Sequence, residues 1–228
     1  MTGLPAKYSA LEAQINASTK DERLQAIRQL ADGIASGEIS VVPQTVEVNN
    51  HVHTCYSFSP HSPSSAAWHA LRAGLRAVGI MDHDSVSGVA EMLEAGALLG
   101  MATTAGFELR VNFDGTPMAG RSLNGPGLQG IAYIAIHGIP ANQVARCQEF
   151  LRPIHEARNA RNSAMVDRLN AMLRTQHIPT IDFQRDVYAA SMAAEGGSIT
   201  ERHILAALSR KFIDAYGKGA TLVSFLED

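Results

Sequence analysis

The chain of 228 residues has few cysteines, no large excess of positive or negative charge and no long apolar run. Its two cysteines, Cys55 and Cys147, provide neither a disulfide framework nor the paired Cys-x-x-Cys ligands of a zinc motif. No stretch approaches the roughly 18 consecutive apolar residues of a membrane span, and the first residues lack the apolar segment of a secretory signal. These absences predict a cytoplasmic protein without a membrane partner.

The charge balance is close to neutral, with a net charge of −3 and no block of basic residues. An extended nucleic-acid-binding surface is therefore not expected, although a local basic pocket remains compatible with this composition. The hydrophobic share of 46% is sufficient for one large α/β domain or two small ones. The composition leaves the oligomeric state open.

Apolar strands and amphipathic helices alternate along the chain. Helices are predicted within residues 6–36, where Thr19 and Glu22 have capping-box spacing, and then from about 64 to 73, at 85–100 and at 140–176. We expect Pro153 to interrupt the last of these helices, and the segment after 180 to be mostly helical. Strands are predicted at 45–53, 76–81, 102–113 and 130–137. This alternation predicts a parallel sheet covered by helices, either a barrel or a doubly wound sheet.

Side chains that bind metals stand at the ends of these four successive strands. They are His51 and His53 on the first strand, Asp82, His83 and Asp84 on the second, Glu108 on the third and His137 on the fourth. Period-two alternation places the two histidines of the first strand on one face. Functional groups of parallel α/β folds gather at the carboxyl ends of strands, and a mixed histidine and carboxylate set suits divalent metals. The pattern therefore predicts a metal site at this rim.

Three segments in order resemble the motifs of the PHP (polymerase and histidinol phosphatase) superfamily of metal-dependent phosphoesterases. They are HVHTCYS at 51–57, AGLRAVGIMDHDSVSG at 73–88 and TTAGFE at 103–108, and the later GGSITERHILAAL at 196–208 is similar to the family's G-R-P-H-I-A helix. The resemblance covers residues 46–210. It implies a distorted (β/α)7 TIM-like barrel with two or three divalent ions, Mn, Zn or Fe, at the strand ends. The domain of this type would span 46–228, after an N-terminal helical extension at 1–45.

The resemblance also implies roles for individual residues. It makes His51, His53, His83 and Glu108 metal ligands. It makes His203 a ligand carried by a helix, and the alternative for that residue is an ordinary position on a helix face.

The chain departs from the family pattern at three places. Phe58 stands where relatives usually have an aspartate, so either His61 replaces that ligand or a metal position has changed. Ala132 stands where many relatives have a histidine, and His137 either replaces it or only lines the pocket. The family's final histidine motif does not occur in the 25 residues after His203. We expect a chain that is part of a longer protein, and the alternative is an incomplete barrel.

The predicted activity is hydrolysis of a phosphoester of a small phosphorylated metabolite or nucleotide by metal-activated water. Asp82 and Asp84 are the catalytic candidates, which would either orient a ligand histidine or protonate the leaving group. The candidates for binding the phosphate are Arg110, Arg121, Arg158 and Arg161, each of which could instead be a solvated surface charge. Two other functions stay open: a catalytically degenerate PHP module with a structural or regulatory role, and a metal hydrolase resembling amidohydrolases, whose barrels also begin with a His-x-His pair.

Overall fold

The computed structural model describes residues 4–125 and 127–227. Their regular structure consists of four strands, seven α-helices, two short 3-10 helices (Ala141–Gln143 and Ala193–Glu195) and one π-helix (Phe183–Tyr188). The strands are β1 (Val48–Val52), β2 (Ala77–His83), β3 (Ala102–Asn112) and β4 (Ile131–His137). The helices are α1 (Ala6–Gln14), α2 (Lys20–Ala35), α3 (Pro63–Arg72), α4 (Val89–Leu99), α5 (Val144–Thr175), α6 (Glu201–Tyr216) and α7 (Ala220–Glu227). None of these helices combines the length and the apolarity that crossing a membrane requires.

The sheet has the strand order β1-β2-β3-β4 and is curled into half of a barrel, which is consistent with an incomplete TIM-like barrel. The first three strands are parallel, as predicted. The fourth is antiparallel to β3, so the prediction of an all-parallel sheet is wrong there. A parallel pair needs a crossover, usually a helix, whereas the described residues between β3 and β4 contain no helix and return the chain directly.

Local signals in the sequence set most helix boundaries. Thr19 caps α2, and its side chain and that of Glu22 form the predicted capping box. Helix α3 begins after Ser62, whose hydroxyl accepts a hydrogen bond from the Ser65 backbone N–H. The expected interruption at Pro153 is wrong, because α5 runs unbroken on both sides of it. A proline removes one backbone donor, and packing of a long helix can compensate for that loss.

A first hydrophobic core lies between the sheet and helices α1–α4. Its fully buried members include Ile27 of α2, Trp68 of α3 and Ile80 of β2. The two N-terminal helices are therefore part of the core that supports the sheet. A second core joins the C-terminal half of α5 to residues 178–187 and to α6.

A buried ion pair also joins the N-terminal helices to the rest of this core. Arg23 of α2 donates to both carboxylate oxygens of Glu91 in α4, at 2.9 and 2.6 Å. The Ser64 hydroxyl donates to the same carboxylate at 2.7 Å, which fixes the start of α3. Because all the buried charge is paired and hydrogen-bonded, this network tolerates burial.

Candidate metal centre

The pleat of the strands separates the candidate ligands from the core. Along β2 and β3, alternate residues such as Ile80 and Phe107 pack into the first core. The residues between them, including His83 and Glu108, point to the opposite face. His83 and Glu108 are also direct partners in the register of the two strands. A parallel pair in this register brings an imidazole and a carboxylate together without any loop.

Three histidines converge on one oxygen atom of Glu108. The distance from Glu108 Oε2 is 3.2 Å to His51 Nε2, 3.5 Å to His83 Nδ1 and 3.7 Å to His53 Nε2. Donor atoms of His51, His53 and Glu108 all lie within 4.8 Å of one another. Such spacing is compatible with shared coordination of one cation.

The protonation state of the histidines also fits a metal ion. Burial, followed by the charges of His83, His51 and Arg202, lowers the pKa of His53 to about 4. Burial is also the main cause that lowers the pKa of His83. Both side chains are therefore neutral near pH 7, and the neutral imidazole is the form that binds metals.

A buried histidine nitrogen without a hydrogen-bond partner also supports a metal ion at this place. The Nδ1 atom of His83, which faces Glu108 Oε2 at 3.5 Å, is buried and makes no hydrogen bond among the described residues. Buried polar atoms are normally satisfied, so such atoms call for another ligand. The residues present therefore fit a divalent cation.

Aromatic rings close one side of this group of histidines. The ring of Phe58 lies 4.5 Å from that of His53 and 5.4 Å from that of His83, centroid to centroid. The Arg202 guanidinium lies 4.2 Å from the centroid of Phe58, and the Tyr133 ring lies 5.4 Å from that of His83. Arg202 and Tyr133 are not among the site residues predicted from the sequence. The signal for Arg202 was its place directly before His203, in the motif assigned to the rim.

Asp82 lies on the core side of β2 and is buried. Its carboxylate accepts hydrogen bonds from the Thr54 N–H at 2.6 Å, the Thr54 hydroxyl at 2.5 Å and the Ser57 hydroxyl at 2.6 Å. Burial raises the pKa of Asp82, and these hydrogen bonds oppose that rise. All three donors belong to the loop after β1, so this geometry suits a positioning role better than proton transfer to a substrate.

Asp84 connects the end of β2 to α5. Its carboxylate contacts the Arg158 guanidinium, and both side chains are buried. The Asp84 backbone N–H donates a hydrogen bond to the Glu108 carbonyl at 2.8 Å. The Asp84 carbonyl contacts Nε2 of His155, a residue that was not predicted from the sequence. Asp84 adopts a φ of +50°, which is uncommon for a residue with a side chain.

Three of the four candidate phosphate-binding arginines line one open cavity of about 300 Å³. Arg110, Arg158 and Arg161 surround it together with Asp84. Two of its lining residues are close in sequence to the candidate ligands: Asp84 follows His83 directly, and Arg110 follows Glu108 by two residues on the same face of β3. Arg121 lies on the exposed loop between β3 and β4 and does not line this cavity.

The other candidate ligands lie outside the group that converges on Glu108. The His61 side chain is turned toward α3, where Nδ1 lies 3.1 Å from the Ser65 hydroxyl and the ring lies 5.1 Å from that of His69. His137 is exposed on β4, opposite Gly106, because the antiparallel direction carries this strand away from the rim.

His203 has a structural partner at the start of α6. Its Nδ1 accepts a hydrogen bond from the Thr200 N–H at 3.1 Å and completes a capping box. Burial lowers the pKa of His203, so the side chain is neutral near pH 7. Only Nε2 remains available to a metal.

The solved structures that resemble this fold include the following two. A candidate metal-dependent phosphoesterase from Bifidobacterium adolescentis has a TM-score of 0.54 and 25% identity, over 78% of this chain and 56% of that protein. An amidohydrolase from Chromobacterium violaceum, with bound sulfate and no metal, has a TM-score of 0.53 and 19% identity, over 79% of this chain and 54% of that protein. The chain thus spans about half the length of these two proteins.

No family model and no curated protein matches the sequence of this chain. The likeness to the amidohydrolase concerns the fold alone. The likeness to the candidate phosphoesterase and the histidine–glutamate group support a metal-dependent hydrolase fold for this chain.

Proposed function

We propose that the protein is a metal-dependent phosphoesterase of the PHP type, acting on a small phosphorylated metabolite or nucleotide. The observation that carries the proposal is the convergence of His51, His53 and His83 on the Glu108 carboxylate at the strand ends. The likeness to the Bifidobacterium candidate phosphoesterase supports this class of reaction. The motifs at 51–57, 73–88 and 103–108 support the PHP assignment.

In this proposal His51, His53 and Glu108 hold a divalent ion, Mn, Zn or Fe, with His83 beside them. A bound ion of this kind lowers the pKa of a water molecule and stabilises negative charge on phosphoryl oxygens. The Glu108 carboxylate balances the cation charge. Asp82 acts indirectly, because it holds the loop that carries Phe58 against the histidines.

The arginine cavity is the proposed place for the substrate. Arg110 makes no ion pair within the described part of the chain, so its guanidinium is free to bind a phosphate oxygen. Arg158 is neutralised by Asp84, and its role in the proposal is to set the wall of the cavity. The exposed Arg121 has no role in this arrangement.

An amidohydrolase-like reaction is the second candidate, since one of the similar folds is an amidohydrolase. Amidohydrolase barrels that bridge two metals often use a carbamylated lysine. The four lysines of this chain, at positions 7, 20, 211 and 218, all lie outside the strands. This placement favours the phosphoesterase reaction.

Metal content and hydrolysis measured on the same preparations test the proposal. We expect the wild-type protein to retain Mn, Zn or Fe after dialysis, and His51→Ala and His53→Ala to lose it while their circular dichroism stays unchanged. His177→Asn is the matched control, because His177 is exposed and has a φ of +55°, which asparagine also tolerates.

The hydrolysis assay uses a panel of phosphoesters and amides with added Mn or Zn. Turnover of phosphoesters that is lost in His53→Ala supports the proposal. Turnover of amides alone would favour the amidohydrolase reaction, and metal binding without turnover of either would favour a degenerate module. Full metal retention in both histidine variants would contradict the site itself.

A further inference from the structure

Arg202 is a cation beside the candidate metal centre, and the family motifs give it no role. It lies at the second position of α6, more than ninety residues after Glu108, and its guanidinium lies 4.2 Å from the centroid of Phe58. The same ring lies 4.5 Å from that of His53. One aromatic side chain therefore separates this guanidinium from a proposed metal ligand.

The start of α6 is fixed against the rim by backbone and side-chain hydrogen bonds. The Ser198 N–H donates to the Tyr56 carbonyl at 2.7 Å, and the Ser85 hydroxyl donates to the Gly196 carbonyl at 2.7 Å. From the other side, the Asn162 amide donates to the Ile199 carbonyl at 2.9 Å. The helix that carries Arg202 is thus held to the loops after β1 and β2, and its position is defined.

Arg202 has no carboxylate partner among the described residues. The side chain is exposed and makes no ion pair or side-chain hydrogen bond within residues 4–125 and 127–227. Its neighbour Glu201 pairs instead with Arg161, at 2.8 Å. Stacking on an aromatic ring engages the face of a guanidinium and leaves its N–H edge able to bind an oxyanion in bidentate fashion.

We infer that Arg202, held on the ring of Phe58, binds an oxygen of the phosphoryl group at the metal centre. This inference rests on the proposed phosphoesterase function and adds a substrate-binding residue to it. Phe58 cannot bind a metal, but its ring contacts His53 on one face and supports the Arg202 guanidinium on the other. The anion would lie beside the edge of the Phe58 ring, where it would reach both the bound cation and the N–H edge of the Arg202 guanidinium, and both charges would favour it there.

The test measures binding of inorganic phosphate to metal-loaded protein by calorimetry, after the metal content of each sample has been determined. A charge-assisted hydrogen bond lost from the site weakens binding by roughly tenfold or more. We therefore expect Arg202→Met to raise the phosphate Kd about tenfold, with unchanged metal content. Arg202→Lys keeps the charge without the fork and should show a smaller increase.

The matched control is Arg210→Met, which removes another exposed arginine about two turns further along α6. It should leave the phosphate Kd unchanged. Phe58→Leu keeps an apolar side chain but removes the aromatic support, and it should weaken phosphate binding in the wild-type background but not in Arg202→Met.

Two results would overturn the inference, and they are distinguishable. If metal-loaded Arg202→Met binds phosphate as the wild type does, or if the metal-loaded wild type binds none, Arg202 does not act on the anion although the metal site stands. If the wild type itself takes up no metal, the proposed function fails and the inference falls with it.

Discussion

Replacing Asp82 with alanine tests whether this buried carboxylate holds the loop that shields the metal centre. The change leaves three donors without an acceptor: the Thr54 N–H, the Thr54 hydroxyl and the Ser57 hydroxyl. Hydrogen bonds to a charged group contribute about 1.5–3 kcal/mol each. Their sum is reduced by the cost of burying the carboxylate, which the raised pKa of Asp82 reflects. We therefore expect a loss of about 3–5 kcal/mol in the free energy of unfolding.

Equilibrium urea denaturation of the metal-free protein measures this loss, and two further variants calibrate it. Asp82→Asn keeps one acceptor oxygen, so it should cost about 1–2 kcal/mol. Ser57→Ala removes a single donor and should cost about 1 kcal/mol. A loss below about 1 kcal/mol in Asp82→Ala would refute the reasoning, because it would mean that the loop is held by something other than this carboxylate.

Three further changes probe the rest of the molecule. The pKa of His53 is about 4 in the folded protein and 6.5 is its ordinary value, so the unfolded state binds more protons between pH 4 and pH 6.5. The free energy of unfolding of the metal-free protein should therefore fall as the pH is lowered from 6.5 to 4, and it should fall by less in His53→Gln. Urea titrations at several pH values measure both. An equal fall in both proteins would contradict the buried, neutral histidine. Glu91→Ala leaves a buried arginine unpaired and should destabilise the protein by about 3–5 kcal/mol in urea, whereas a loss near zero would mean that the pair makes no net contribution. Gly79→Ala would place Cβ 2.8 Å from the Asn50 carbonyl oxygen in β1 and should lower the melting temperature. Gly125→Ala, whose Cβ would meet no atom of the described residues within 4 Å, should not lower it, and equal melting temperatures would show that β1 can move away freely.

The sequence by itself determined the residues that form the candidate metal centre. Two rules of strand geometry were sufficient. Alternation places His51 and His53 on one face, and neighbouring parallel strands bring their carboxyl ends to one rim, where His83 meets Glu108. These rules are local or depend on short crossovers, so a single chain carries the information. The capping box of Thr19 and the start of α3 near residue 64 are local in the same way.

Only the tertiary structure decided what surrounds this centre. Asp82 faces the core and not the site, because its position on β2 shares the phase of Ile80. His61 turns to α3, and His137 leaves the rim because β4 runs antiparallel. These outcomes depend on packing between segments that carry no short-range signal for their relative direction.

The contact between Arg202 and Phe58 is the clearest case in which only the tertiary structure decided the outcome. Nothing within the segment around Arg202 specifies that its guanidinium lies on the ring of Phe58, 144 positions earlier in the chain. That contact follows from long-range hydrogen bonds, such as the one between Ser198 and Tyr56, which form only when the helices of the second core dock beside the sheet. Contacts between segments so distant along the chain are set by the packing of whole elements, and a local pattern cannot specify them.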